Sequence, residues 1–171
     1  MAFLQTMITD CNGFALFDLE TLSRSVGRSL ESGDNLLLEF KNSNLGDKVL
    51  DEGAIVPVYP ITDGTYIVSI REFHEAKPDF ADTKPYARSG VFPFCATRNI
   101  VVADLAVLQE WWPEEGWQRI DLNPGTYAVD VTAYVGEDIS GFEIVLSKTR
   151  TLPRRTADWG VDLDVGNPKR P

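Results

Sequence analysis

The chain has one histidine, His74, and two cysteines, Cys11 and Cys95, in 171 residues. Zinc sites built on several histidines, on four cysteines, or on two of each are therefore excluded. A nucleophilic triad would have to form around His74, which closes the segment SIREFH and precedes a charged stretch. No G-x-S-x-G elbow accompanies it, so His74 reads as a surface residue at a strand end. Both nucleotide-binding fingerprints, G-x-G-x-x-G and the P-loop, are missing. Two cysteines are too few for a disulfide framework. Cys95, in VFPFCA, reads as a small buried hydrophobe, Cys11 as part of the turn TDCNG, and both as reduced thiols.

Basic side chains are also scarce, with 16 Lys and Arg against 26 Asp and Glu and a net charge of -10. Such a field repels nucleic acid and anionic membrane and attracts basic surfaces. No apolar run reaches the length of a membrane span. The amino terminus MAFLQTMITD lacks a basic region, and Gln5 and Thr6 interrupt its apolar run, so it is no secretory signal and the expected address is cytoplasmic. Linkers, repeats and low-complexity blocks are missing too. With 43% hydrophobic and 25% charged residues, residues 1–171 read as one globular β-rich domain with an irregular tail over 153–171.

What is present is mostly strand pattern. AFLQTMIT and GFALFDL, parted by Asp10 to Gly13, predict an opening hairpin. Leu19, Leu22, Val26 and Leu30 recur at helical spacing, predicting a short helix from near Asp18 to before Gly33. NLLLEFK reads as a strand, and LGDKVLDEG leaves open a turn of helix. AIVPVYPIT and TYIVSIREFH around Asp-Gly predict a second hairpin, its first strand pushed to a sheet edge by Pro57 and Pro60. EAKPDFADTKPYA reads as a loop. ARSGVFPFCA and NIVVADLAVL are apolar runs divided by Thr97 to Asn99. WQRIDL and TYAVDVTAYV around Asn-Pro-Gly predict a third hairpin, with Tyr127, Val129, Val131, Ala133 and Val135 on one face. FEIVLSKT places Phe142, Ile144 and Leu146 on one side. About eight to ten short strands with one or two short helices predict a mainly β fold, a β-sandwich or flattened barrel.

Acidic residues cluster in sequence. Asp104, Glu110, Glu114, Glu115, Asp121, Asp130, Glu137, Asp138 and Glu143 face one basic residue, Arg119, between positions 104 and 143. From Ile144 onward, six basic residues meet three acidic ones, reversing the sign. The acidic stretch is either a solvated face or a docking surface for a cationic partner. Paired carboxylates also serve glycoside hydrolysis, but sequence spacing does not show two of them facing each other. DLDVGN offers the hard oxygen ligands Asp162, Asp164 and Asn167 without the calcium-loop pattern, and reads as a plain turn. No cofactor is expected.

The densest aromatic stretch is EWWPEEGW, residues 110–117. Trp111 and Trp112 are adjacent and point in different directions on an extended backbone, so one is expected in the core and the other exposed with Glu114 and Glu115. Exposed Trp beside acids suits a protein-protein hot spot steered by charge. The candidate partner-binding residues are Glu110, Trp112, Glu114, Glu115 and Trp117, with Asp104, Glu137 and Asp138 as electrostatic support.

Two pieces of the segment from Ala87 to Val135 carry a family resemblance. Arg88, Pro93 and Phe94 lie in ARSGVFPFCA, and Leu122, Pro124, Gly125 and Tyr127 lie in LNPGTY. This pattern resembles the later half of the competence-J-type nuclease inhibitors, small acidic β-rich proteins. The resemblance implies an inhibitor that binds and blocks a toxic enzyme, as bacterial immunity proteins do, with these residues as framework and no catalytic residue. The leading expectation is thus a non-enzymatic acidic protein that neutralises a basic protein, a cytosol-acting nuclease toxin. The alternative is a β-sandwich module that binds a carbohydrate or other small ligand through the tryptophans. A third is an assembly subunit whose proline-marked edge strand pairs with a neighbour.

Overall fold

The computed structural model describes residues 3–77, 83–138, 140–157 and 161–166. Among these described residues, nine strands form two sheets, and four short helices pack on one of them. The strands are β1 (Phe3–Thr9), β2 (Phe14–Asp18), β3 (Ile55–Val58), β4 (Gly64–Glu72), β5 (Lys84–Ala96), β6 (Ile100–Asp104), β7 (Gln118–Ile120), β8 (Gly125–Val135) and β9 (Gly141–Thr149). A five-stranded sheet runs β1-β4-β9-β8-β5, and a four-stranded sheet runs β3-β2-β6-β7. All neighbours are antiparallel except β4 and β9. The fold is mainly β, a flattened sandwich, as expected; its helices outnumber the one or two predicted.

The two sheets bury different patterns because they have different neighbours. The four-stranded sheet is covered on both faces. Phe14 and Leu16 of β2 enter the core between the sheets, and Ala15 and Phe17 enter a second core beneath the helices. A strand buried on both sides reads as a continuous apolar run, which is what FALF and IVV are. The five-stranded sheet turns one face to the core, so its strands alternate: Tyr127, Val129, Val131 and Ala133 of β8 are fully buried, as are Phe142 and Ile144 of β9.

The second core lies under helices α1 (Leu19–Val26), α2 (Leu36–Asn42), α3 (Leu45–Asp51) and the single turn α4 (Ala106–Gln109). Asp18 caps α1, its Oδ1 accepting from the Thr21 N–H at 2.8 Å, and Gly27 ends the helix early in the left-handed conformation at φ 82°. The Asp18 carboxylate also receives the Thr97 N–H and hydroxyl at 2.6 and 2.8 Å, tying α1 to the β5–β6 turn.

NLLLEFK is a helix, not the strand its apolar run suggests. Asn35 caps it by accepting from Leu38 N–H at 2.9 Å. Leu36, Leu37 and Phe40 pack inward at helical spacing, while Leu38 stays 53% exposed. Three consecutive leucines conceal that period, because a run of identical apolar residues carries no phase.

The three predicted hairpins are not hairpins. Each pair of strands exists, but its members belong to different sheets: β1 and β2, β3 and β4, β7 and β8. The turn residues let the chain cross from one sheet to the other, and β8–β9 is the tight hairpin. Two crossings share a pin. Tyr66 donates to the Thr62 carbonyl at 2.5 Å and Tyr127 to the Asn123 carbonyl at 2.6 Å, each reaching four residues back to fix the corner. β3 is indeed an edge strand, as Pro57 requires. β5 begins at Lys84, inside the stretch read as a loop; residues 78–82 of that stretch lie outside the described ones.

The tail over 150–157 and 161–166 has no strand or helix but is fastened. Thr156 and Ala157 donate to the Val91 carbonyl on β5, and Arg155 pairs with Asp47 and Asp51 of α3 at 2.9 and 2.8 Å. Leu163 and Val165 are buried in the main core.

Candidate functional site

The Trp-rich segment connects α4 to β7 and closes the second core. Trp111 is 3% exposed, and its backbone is held by Asp34 and Gly33 through hydrogen bonds of 2.9 Å each. Its ring packs at a tilt against Trp117, with centroids 5.2 Å apart, and against Phe17 at 6.1 Å. Trp112 points the other way and is 48% exposed. The adjacent tryptophans therefore divide as predicted. Trp117 does not stand free as a partner anchor: it is half-buried and packed on Phe17 and Trp111. Glu110, Glu114 and Glu115 are exposed, and Glu114 pairs with Arg119 at 3.2 Å, which offsets part of the loop's charge.

The other three predicted residues lie at one end of the sandwich. Asp104 ends β6, and Glu137 and Asp138 form the β8–β9 turn. The fold adds three carboxylates outside the predicted partner-binding set, Asp164 among them having been read as part of a plain turn. Asp10 sits in the β1–β2 crossing, with its N–H on Asp104 Oδ2 at 2.7 Å. Asp63 sits in the β3–β4 crossing and accepts from Asn12 N–H at 2.6 Å. Asp164, from the tail, accepts the Thr62 N–H and hydroxyl at 2.8 Å each. The crossings approach closely here. A Cβ on Gly13 would lie 2.3 Å from the Val58 carbonyl oxygen, so no larger residue fits. Ser140, beside the β8–β9 turn, donates to the Val165 carbonyl and brings Glu137 and Asp138 to the same end.

These carboxylates have no ion-pair partner; Glu31, Glu52, Glu110, Glu115 and Asp121 share that property among the described residues, but only singly or in the Trp-rich segment, whereas six gather here. Elsewhere Glu20, Asp34, Glu39, Asp47, Asp51, Glu114, Asp130 and Glu143 each pair with an arginine. Among the described residues, Asp10, Asp63, Asp104, Glu137, Asp138 and Asp164 form no ion pair, and segments 10–13, 59–64, 104–109, 136–140 and 161–166 hold no Lys or Arg. Asp63, Asp104 and Asp164 accept from backbone N–H groups, and Asp164 also from a hydroxyl, which holds these three in place without cancelling their charge. Neighbouring groups register the resulting field. Burial raises the Cys11 thiol pKa, and the charges of Asp104 and Asp63 raise it further. Burial raises the Tyr66 hydroxyl in the same way, with Asp164 and Asp63 adding to it.

An apolar groove of about 580 Å³ opens beside this acidic pole. It lies between helices α2 and α3 and the edge strand β3, with Leu37, Phe40, Ile55, Pro57, Tyr59 and Leu105 in its lining. Tyr59 and Leu105 also border Gly13, so groove and pole are contiguous. Tyr59 is 48% exposed and forms an aromatic lip. The Trp-rich segment flanks the pole from the other side: Asp104 and Glu110 bracket α4, a single turn about 6 Å long.

The remaining candidate groups are accounted for. His74 is 77% exposed and lies 3.5 Å from Glu72. No cluster of potential metal ligands occurs among the described residues. Asp164 holds the tail to Thr62, Asp162 accepts from Asp164 N–H, and Asn167 lies outside the described residues. Cys11 and Cys95 are both free; Cys95 is half-buried rather than fully buried. No described helix is long and apolar enough to cross a membrane.

The sequence matches no known family model and no curated protein. Its fold is similar to a solved structure titled "Crocagin biosynthetic gene J", at a TM-score of 0.54 and 11% identity, covering 88% of this chain and 98% of that one. The likeness concerns the fold alone.

Proposed function

We propose that this protein is a non-enzymatic inhibitor that binds a basic protein, and that the class of partner is a nuclease toxin acting in the cytoplasm. The observation that carries this reading is the pole of six carboxylates without cation partners, set against an apolar groove. A nuclease cleft is basic because it holds phosphates, so an acidic pole competes for the same surface and is drawn to it by long-range attraction. Steering of this kind raises association rates by roughly 10 to 1,000-fold and falls with added salt. Charge supplies encounter and orientation; the groove, Tyr59 and Trp112 supply the desolvated contact that slows release.

The resemblance to competence-J-type inhibitors supports the same reading. Its matching residues are framework neighbours: Phe94 faces Tyr127 across the β5–β8 ladder, and both are fully buried. The sugar-binding alternative draws less support, since two of the loop's three tryptophans are packed inward and one exposed ring remains.

The test is inhibition of a panel of basic nuclease toxin domains by the purified protein. Stoichiometric inhibition of a panel member is expected. It should weaken at least tenfold in a variant carrying Asp10→Asn, Asp63→Asn, Glu137→Gln and Asp138→Asn. Failure to inhibit any member, or equal inhibition by that variant, overturns the reading.

A further inference from the structure

We propose that the free edge of β1 is an interface for a second copy of this chain, joined by antiparallel pairing about Thr6. The sandwich has four sheet edges, and three of them are blunted. β3 carries Pro57, which has no N–H to offer. β7 is three residues long. β5 is broken by register shifts near Pro85 and between Arg88 and Val91, and the tail lies along it through Thr156 and Ala157. β1 has none of these devices. It is FLQTMIT, seven residues without a charge, a proline or a bulge, in register with β4 along its whole length. An edge of this kind is a template for strand addition.

The sequence of β1 points to a copy of itself as the added strand. On the outer face Leu4, Thr6 and Ile8 stand in a row, with Leu4 54% and Ile8 65% exposed. A two-fold axis at Thr6 sets Leu4 opposite Ile8 of the second copy, Ile8 opposite its Leu4, and Thr6 opposite its Thr6. Both exposed aliphatic residues then gain an aliphatic cross-strand partner, and all seven residues are paired. Shifting the axis by one residue in either direction leaves Leu4 or Ile8 facing Thr6 or hanging past the strand end.

Charge permits the same geometry. β1 ends at the acidic pole, and antiparallel pairing sends the two poles to opposite ends of the joined sheet. Six rises of about 3.4 Å put them roughly 20 Å apart, well beyond a Debye length of about 8 Å at physiological salt. The two five-stranded sheets become one continuous sheet of ten strands, and both poles and both grooves stay open.

Analytical ultracentrifugation from micromolar to millimolar protein tests this. The expected mass is twice 19.0 kDa for the native chain and 19.0 kDa for Thr6→Lys, which sets two ammonium groups face to face at the axis. Thr6→Lys should keep the native circular dichroism spectrum, since Thr6 is exposed, and should melt at a temperature independent of protein concentration, whereas the native chain's should rise with concentration. In a background with Cys11→Ser and Cys95→Ser, Thr6→Cys should form a disulfide-linked dimer on mild oxidation and Gln5→Cys should not. A native chain that is monomeric throughout overturns the proposal and leaves the edge to a strand of another protein. A dimer that survives Thr6→Lys overturns it too.

Discussion

Trp111 and Trp112 are neighbours in sequence with opposite duties, and replacing each by alanine should separate them. Trp111 fills the second core between Trp117 and Phe17 and is 3% exposed. Removing a buried indole costs about 3–5 kcal/mol, because its contacts vanish and the neighbouring rings close the gap only in part. At about 2–4 °C per kcal/mol for a domain of this size, Trp111→Ala should lower the melting temperature by roughly 6–20 °C. Trp112 is 48% exposed, and its replacement should change stability by less than about 0.5 kcal/mol. Thermal unfolding followed by far-ultraviolet circular dichroism reads both variants directly. Trp112→Ala should melt like the native chain yet release a bound partner faster. Equal destabilisation by the two substitutions, or a silent Trp111→Ala, would refute the placement of the loop and with it the choice of Trp112 as an anchor.

Asp18→Asn keeps one acceptor oxygen but turns an N–H group toward a site that now accepts two hydrogen bonds from Thr97; the cost should be about 1–3 kcal/mol, visible as an earlier melt. Alkylation of Cys11 at mildly alkaline pH, followed on its peptide, should be slow in the native chain and faster in Asp63→Asn, because removing that negative charge lets the thiol ionise at lower pH. Salt should speed the native reaction more than the variant's. Asp130 has its carboxyl pKa raised, first by burial, with Arg88 lowering it and Glu143 raising it. A folded-state pKa above the unfolded value means that the ionised form opposes folding in full at pH values above the folded pKa, and that this cost fades as pH falls through the folded pKa and is gone below the unfolded one. Asp130→Asn should therefore unfold at higher denaturant than the native chain near neutral pH, with the gap closing toward pH ~3, below the ordinary aspartate range. A gap that widens in acid would contradict the assignment.

Strand positions and inward faces were readable in the sequence because both rest on local periodicity. Tyr127 to Ala133 alternate, and Asp18 announces its helix as a capping residue does. Pairing was not readable. Asp-Gly and Asn-Pro-Gly mark a change of direction, and the same residues serve a hairpin or a crossing between sheets. What decides is which face of each strand is covered, and the two-sided burial of Phe14 to Phe17 depends on helices distant in sequence. The continuous apolar runs of β2, β3 and β6 did hold that information, since strands of one-sided sheets alternate. The acidic pole was half visible. Asp104, Glu137 and Asp138 fall in a stretch rich in acids, whereas Asp10, Asp63 and Asp164 come from separate turns that look ordinary until the crossings bring them together. Glu114 misled in the other direction, because its neutralising partner Arg119 lies five residues away on β7.

Capture of a basic partner by the pole requires negative potential concentrated at one end of the sandwich. Paramagnetic relaxation of amide protons by a matched pair of cationic and anionic nitroxides reports the potential beside each residue. The strongest excess of the cationic probe is expected at Cys11, Thr62, Ala106 and Gly136, and it should shrink in the variant with Asp10, Asp63, Glu137 and Asp138 neutralised. A deeper minimum on the helical flank, or a potential spread evenly over the surface, would contradict it.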